Sequence, residues 1–313
     1  MFLAVCDSFM IPYVKQMVFN PAISMFWFPS DGGFFPKGCE SIIKKFDVSV
    51  AFTKYAQKQL SDEHSIVTEQ IWEGVDPSIY HKLNDKTLRS KWSSRCVNCN
   101  GQTLNLNDYK ILFCNSRNQG RKMLSENVKA FGKLLKLRSD VVLLFNCDPT
   151  DPAQVNDLRS VAKKYDCDDR VLFTDMGNYI DGLSDGEVNE LYNIMDVFWL
   201  LTSGEGFGLP FAESSMVGKC VITTDYTNAR EILPNQTNHF FIPVGYEMMG
   251  TYEVNRALAD STKAAEYTNE ILNNPSELAR IGKLNHEWSL ANLDVKVIGK
   301  QWDSLIKKRL NRE

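Results

Sequence analysis

No apolar run in this chain reaches the roughly 18 residues that a helix needs to cross a bilayer. An excess of either charge is missing too. The 35 Lys and Arg stand against 39 Asp and Glu, for a formal net charge of −4, which leaves no electrostatic footprint for nucleic acid. The four histidines, His64, His81, His239 and His286, are too scattered to suggest a metal site. A disulfide framework is absent: the eight cysteines show no scaffold spacing, and several sit inside apolar runs as small hydrophobes. That usage points to a reducing cytoplasm. Cys96-Val97-Asn98-Cys99 lacks the second ligand pair of a tetrahedral zinc site and the strand-to-helix setting of a redox motif, so two solvated, reduced thiols are expected. The opening Met1-Phe2-Leu3-Ala4-Val5-Cys6 has no basic flank and is cut by Asp7, unlike a secretory leader. It reads as a strand. A G-x-G-x-x-G after an early strand is also missing, which leaves a Rossmann dehydrogenase without support.

What remains is an ordinary globular composition, 43% hydrophobic and 24% charged, in 313 residues, enough for two domains. The first part predicts strands over 2–6, 23–28, 48–52 and 66–71, with helices over 38–46 and 54–61. Residues 81–108 are polar and poorly periodic and read as a linker. From Lys110 the alternation turns regular. Strands are expected over 111–114, 141–145, 171–173, 197–202 and 220–224, with helices over 123–137, 152–165 and 185–195. Such alternation means parallel sheets covered on both faces. Past Gly245 the chain reads as helix, over 253–272 and 275–310.

Two stretches carry chemistry. The first is Glu205-Gly206-Phe207-Gly208-Leu209-Pro210-Phe211-Ala212-Glu213, between two apolar strands. Gly206 and Gly208 allow backbone to approach a ligand closely. Pro210 suits the first helical position, which places Glu213 in the first turn, pointing back at the loop. The same helix end attracts a phosphate. The bland account is a strand-to-helix turn with glutamates that start a helix. The second stretch is Asn115-Ser116-Arg117-Asn118-Gln119-Gly120-Arg121-Lys122, leaving the first strand of the second half. Cations at a helix start oppose the dipole, which argues for an anionic ligand such as a pyrophosphate over a solvated basic turn. In the first half, Asp31 follows a strand and precedes Gly32-Gly33. It suits a cleft position or a turn aspartate bonding its own backbone.

Glu205, GFGLP and Glu213 resemble the E-x7-E motif of retaining glycosyltransferases with the GT-B fold, the family 4 type. The likeness extends to Tyr192-Asn193-Ile194-Met195-Asp196, to Asn228-Ala229-Arg230-Glu231-Ile232, to the R-N-Q-x-R-K variant of the family's "GR…K" segment, and to the G-V-D of Trp72-Glu73-Gly74-Val75-Asp76. The resemblance implies an α/β fold of GT-B architecture: two Rossmann-like domains with parallel sheets. The glycine-rich loop and βα units that such proteins carry at the front are not in this sequence, so a truncated or reduced N-terminal domain is expected. The expected domains are residues 1–105 with the linker, 106–285 for the nucleotide-sugar, and a C-terminal helix over 286–313 packing back through Trp302, Leu305 and Ile306.

The implied activity is transfer of a sugar from a nucleotide-sugar, such as a UDP- or GDP-sugar, with retention of anomeric configuration. Arg117 and Lys122 would meet the donor's diphosphate, with Arg121 the less clearly matched cation. Glu205 would face the donor sugar beside backbone groups of Gly206, Phe207, Gly208 and Leu209. Glu213 would hold the ribose hydroxyls, and Asp31 would stand on the acceptor side. No bound metal and no cofactor are implied, because cations replace the ion at the leaving group. The partners are the nucleotide-sugar and a glycan, lipid or protein acceptor, with peripheral membrane contact left open. The alternatives are an inactive nucleotide-sugar-binding module and another GT-B enzyme, such as an epimerase or a phosphorylase.

Overall fold

The computed structural model describes residues 1–7, 10, 23–35, 38–150, 156–175, 182–250 and 253–310. Early in the chain, short apolar runs bounded by turn residues form strands β1 (Phe2–Val5) and β2 (Ser24–Phe28). Helix α1 (Glu40–Ile43), strand β3 (Val48–Ala51), helix α2 (Lys54–His64) and strand β4 (Glu69–Gln70) follow. The strands lie in the order β1-β2-β3-β4, and every pair is parallel. Met25, Phe26, Phe28, Val50 and Ala51 are buried on opposite faces of this sheet, the pattern of strands covered on both sides. Thr53 starts α2 in extended conformation, its side chain accepting from the Ala56 amide, a common N-cap arrangement. The strand expected over 66–71 pairs only at Glu69 and Gln70.

The segment read as a linker is not all linker. It holds helix α3 (Leu88–Ser93) and strand β5 (Cys96–Asn98). Strand β5 runs antiparallel along the far edge of the second sheet. Cys96 is therefore buried and Cys99 half-buried, a correction to the expected solvated pair. Burial pushes the Cys96 thiol up to about 12 and Cys99 up to about 11, so neither is a ready thiolate.

The second sheet then builds as β6 (Lys110–Asn115), α4 (Leu124–Leu135), β7 (Val141–Asn146), α5 (Leu158–Lys164), β8 (Val171–Thr174), α6 (Asp185–Ile194), β9 (Val197–Leu200), α7 (Leu209–Met216), β10 (Cys220–Thr224), α8 (Ala229–Ile232) and β11 (Phe241–Ile242). Its order is β11-β10-β9-β6-β7-β8-β5, parallel except for β5. Ser184 and Glu187 close a capping box on α6, worth typically about 1 kcal/mol. The expected helix over 152–165 begins at Leu158, capped by Asp157; residues 151–155 lie outside the described residues.

The order of strands decides where a ligand can sit. From β6 the chain winds one way to β7 and β8; from β9 it winds the other way to β10 and β11. Beyond the carboxyl ends of β6 and β9 the loops therefore part and leave a crevice. Both chemical stretches leave from those two strand ends.

Two more corrections concern the C-terminal part. Residues expected to be helical from 253 begin as an antiparallel hairpin, β12 (Val244–Met249) with β13 (Asn255–Ala259), before α9 (Ser261–Leu272). The single helix expected over 275–310 is two, α10 (Pro275–Asn292) and α11 (Val295–Leu310). The break falls where the backbone leaves the helix ladder to pair with Val75. The Val75 amide donates to the Leu293 carbonyl at 2.7 Å, and Val295 donates to the Val75 carbonyl at 3.2 Å.

From that break α11 crosses to the first sheet. Ile298 and Leu305 pack with Met25, Val48, Val50 and Ile71, and Trp302 meets Trp27 edge-on at 5.2 Å between ring centroids. Truncating a buried leucine typically costs about 2–5 kcal/mol. Leu305→Ala should therefore lower the urea midpoint clearly, with the loss appearing in the part of the transition that exposes the first sheet. An unchanged midpoint would show that α11 docks there without stabilising it.

Candidate active site

Strand β6 ends at Asn115, and its loop turns back through a short 3-10 turn at Gly120–Lys122. Strand β9 ends at Leu200, and its loop runs through Ser203 to Gly208. The two loops are joined at backbone level, with the Ser203 amide donating to the Arg121 carbonyl at 2.9 Å. Glu205, buried, meets both cations of the first loop. Lys122 Nζ lies 2.6 Å from Oε1, and Arg121 Nη1 lies 3.1 Å from Oε2. Burial alone would raise the Glu205 carboxyl, but Lys122 and then Arg121 outweigh it and hold it at about 2. Charge-assisted, doubly engaged carboxylates are among the stronger polar contacts.

These groups line a cavity of about 260 Å³ with Gly206, Phe207, Gly208, Leu209 and Pro210 on one side and Pro29, Asp31, Phe52 and Glu73 on the other. The glycines are required by space. A Cβ on Gly206 would lie 2.3 Å from Cβ of Pro29, and Gly208 has φ +90 with Phe211 at 2.7 Å from its Cβ position. Asn228 Nδ2 fixes the loop by donating to the Phe207 carbonyl at 2.9 Å.

Asp31 stands in this cavity as a paired group. Its carboxylate lies 3.4 Å from Arg121 Nε and 3.0 Å from Arg256 Nη2, and Arg256 also donates to its backbone carbonyl. Arg256 comes from the hairpin, an element the sequence reading did not contain. Glu73, also unassigned in that reading, is raised to about 7 by burial first, then by Glu213, Glu205 and Asp7. Its signal in the sequence was only its place before Gly74-Val75-Asp76.

Not every expected residue converges. Arg117 is exposed and does not line the cavity, while Arg121 does. Helix α7 begins at Leu209, so Pro210 is its second residue and Glu213 its fifth, one residue further along than expected and past the first turn. Glu213 lies off the cavity, at the end of a polar chain along the strand ends. Thr174 donates to Asn146 at 2.8 Å and Asn146 to Asn115 at 2.9 Å. Asn115 then donates to Tyr192 at 3.2 Å, and Tyr192 to Glu213 at 2.6 Å. Burial raises the Glu213 carboxyl despite hydrogen bonds from the hydroxyls of Tyr192 and Tyr80. Lys122 is buried in the site; its neighbourhood is that of a core ion pair.

Glu231 on α8 reaches the first sheet. It accepts from the Lys54 amide at 2.8 Å, the Tyr55 amide at 3.0 Å and Trp72 Nε1 at 2.6 Å. A carboxylate from one half thus caps helix α2 of the other, where free amides and the helix dipole favour it. Among the described residues, no group of three or more His, Cys, Asp and Glu is arranged to hold a metal ion.

The family model described as "Glycosyl transferases group 1" matches residues 100–283. Solved structures share the fold. The sucrose-phosphate synthase of Thermosynechococcus elongatus superposes with TM-score 0.72 at 14% identity, covering 99% of this chain and 74% of that one. A glycosyltransferase from Rickettsia africae gives 0.70 at 14% identity, over 97% of this chain and 80% of that one. Anabaena HepE in complex with UDP-glucose gives 0.70 at 14% identity, over 91% and 72%. The architecture is thus GT-B. No curated protein sequence matches the chain.

Two outcomes follow from the electrostatics. Removing one partner of a buried ion pair typically costs about 3–5 kcal/mol, and Arg121 remains, so Lys122→Met should fall near the lower end. Because Glu205 sits at about 2, below its usual 4.5, its contribution is present above pH 4.5 and is lost as pH falls toward 2. In Lys122→Met the Glu205 carboxyl should rise, so that this contribution is smaller and its loss complete at higher pH, and the acid-unfolding midpoint followed by circular dichroism should move up. An identical acid profile in parent and variant would reject the pairing. Glu73 has the opposite sign: a raised carboxyl penalises the folded state once ionised, with no penalty below pH 4.5 and the full one above about 7. Glu73→Gln should therefore raise Tm at pH 8 and leave it nearly unchanged at pH 5.

Proposed function

We propose, on the premise that this chain belongs to the glycosyl transferases group 1, that it moves a sugar from a nucleotide-sugar to an acceptor hydroxyl with retention of configuration. The observation that supports this reading best is the meeting of Lys122, Arg121 and Glu205 on a glycine loop at the switch point of a parallel sheet. A nucleotide-sugar presents that crevice with a diphosphate, a ribose and a sugar ring. Lys122 and Arg121 supply the cations for the diphosphate, joined by Arg117 from the same loop. Glu213, held by Tyr192 at the strand ends, takes the ribose hydroxyls. Glu205 faces the sugar, with the backbone of Gly206, Phe207, Gly208 and Leu209 beside it. Asp31, across the cavity, stands toward the acceptor.

The chemistry follows from charge. As the bond from the anomeric carbon to the phosphate oxygen breaks, negative charge grows on the diphosphate. Preorganised cations in a water-poor site stabilise that charge more than they stabilise the ground state. The acceptor oxygen bonds to the anomeric carbon from the face the phosphate leaves and gives its proton to the departing phosphate oxygen there, so no protein nucleophile is required. Glu205, kept ionised by its two cations, also supports positive charge developing on the sugar. The Anabaena neighbour holds UDP-glucose, which makes UDP-sugars the first donors to try.

Two measurements test the reading. Glu213→Gln keeps shape but removes charge from two hydrogen bonds, each worth about 1.5–3 kcal/mol when charge-assisted. Donor affinity, measured by calorimetry, should fall at least tenfold, and unchanged affinity would sink the ribose assignment. Turnover, with the product's anomeric configuration read by proton NMR, should retain configuration and survive EDTA. Loss with EDTA that manganese or magnesium restores would reject cationic side chains as the leaving-group site, and binding without turnover of any UDP-, GDP- or ADP-sugar would favour a binding module.

A further inference from the structure

The second sheet has another cavity, of about 490 Å³, at the end opposite the crevice. Its floor lies where strands begin: Lys110 opens β6, Asp196 precedes β9, and Lys219 precedes β10. One wall is the crossover from the first half, with Lys82 and Arg89. The other is α10, with Lys283 and His286. Among the described residues that line it, five Lys and Arg face one carboxylate, in a chain whose net charge is −4.

That carboxylate is already engaged. Asp196 accepts from Arg89 Nη2 at 2.8 Å and from the Ile111 amide at 2.9 Å, and lies 3.7 Å from Lys110. The remaining cations have little to answer them. Lys219, half-buried in the floor, donates to the carbonyls of Asn193 at 3.0 Å and Met195 at 2.5 Å. Burial pulls it down to about 8, and Asp196 offsets only part of that shift. Among the described residues Lys283 pairs with Glu287, at 3.7 Å and exposed. His286 spends Nδ1 on the Met216 carbonyl at 2.5 Å. Capping the end of α6 accounts for Lys219 and for part of Arg89. It does not account for Lys82, Lys110 and Lys283 gathering at the same cavity.

Between the cations the wall is apolar, through Leu272, Leu278 and Val217. The size falls in the range of small-molecule pockets, about 300–1,000 Å³. We propose that this cavity binds a phosphate-bearing small molecule, its anionic group among Lys82, Lys110, Lys219 and Lys283 and its apolar or aromatic body against the leucines. The site is separate from the donor crevice and lies between the two chain crossings that join the sheets. A multiply charged anion is favoured there because several ammonium groups around one cavity sum their attraction for it.

The test uses phenyl phosphate and inorganic phosphate as probes, titrated by calorimetry into the full chain, with UDP titrated separately to report on the crevice. The comparison variant is Lys82→Ala/Lys283→Ala, which alters two exposed side chains far from the crevice. The parent should bind phenyl phosphate more tightly than inorganic phosphate. The double variant should lose phenyl phosphate affinity tenfold or more, with UDP affinity changed less than twofold. Lys219→Met, checked for folding by circular dichroism, should give the same loss. The proposal is overturned if the parent binds neither probe, if the double variant binds phenyl phosphate as the parent does, or if saturating UDP displaces it one for one.

Discussion

The structure of the site depends on one buried carboxylate. Glu205 is taken out of water at the switch point of the sheet, where an isolated charge would be costly, and two cations from the neighbouring loop compensate it. Because those cations come from the loop after β6 and the carboxylate from the loop after β9, the pair fixes the two lips of the crevice against each other. The backbone bond from Ser203 to Arg121 does the same at shorter range. A ligand entering this crevice meets a pre-arranged set of charges, which is the condition for stabilising charge that develops in a reaction.

The same logic extends across the two halves. Arg121 is shared between Glu205 and Asp31, and Asp31 is shared between Arg121 and Arg256. Charge therefore alternates from the glycine loop to the first sheet and on to the hairpin. Glu231 adds a second crossing by capping α2 and accepting from Trp72, whose ring lies 5.8 Å from Trp288. The apolar dock of α11 adds a third. Polar contacts set the geometry near the site, while apolar burial far from it supplies the larger part of the stabilisation.

Opposite ends of the second sheet differ in kind. At the carboxyl ends of the strands, charges are paired and a neutral chain of Thr174, Asn146, Asn115 and Tyr192 leads to Glu213. Glu73 is pushed toward neutrality there by burial first and then by the carboxylates of Glu213, Glu205 and Asp7. At the amino ends, cations outnumber their partners. A parallel sheet exposes different loops at its two ends, so one fold can carry two unlike electrostatic environments without conflict.

The sequence by itself determined the alternation of strands and helices, the parallel character of both sheets, and the two stretches that leave β6 and β9. Those features are short-range: period, turn chemistry and capping are written within about ten residues. The glycine loop was legible because Gly206 and Gly208 sit where no Cβ fits. The tertiary structure decided the rest. It put Arg121 rather than Arg117 in the cavity, gave Lys122 to a carboxylate 83 residues away, and raised Glu73 by burial among other acids. It also paired 244–249 with 255–259 and broke the final helix at Leu293 to pair with Val75, because a partner strand and a distant backbone offered bonds that local helix propensity could not match. Period shows what a segment can form. Which charges meet, and at what depth, is set only when distant segments share one interior.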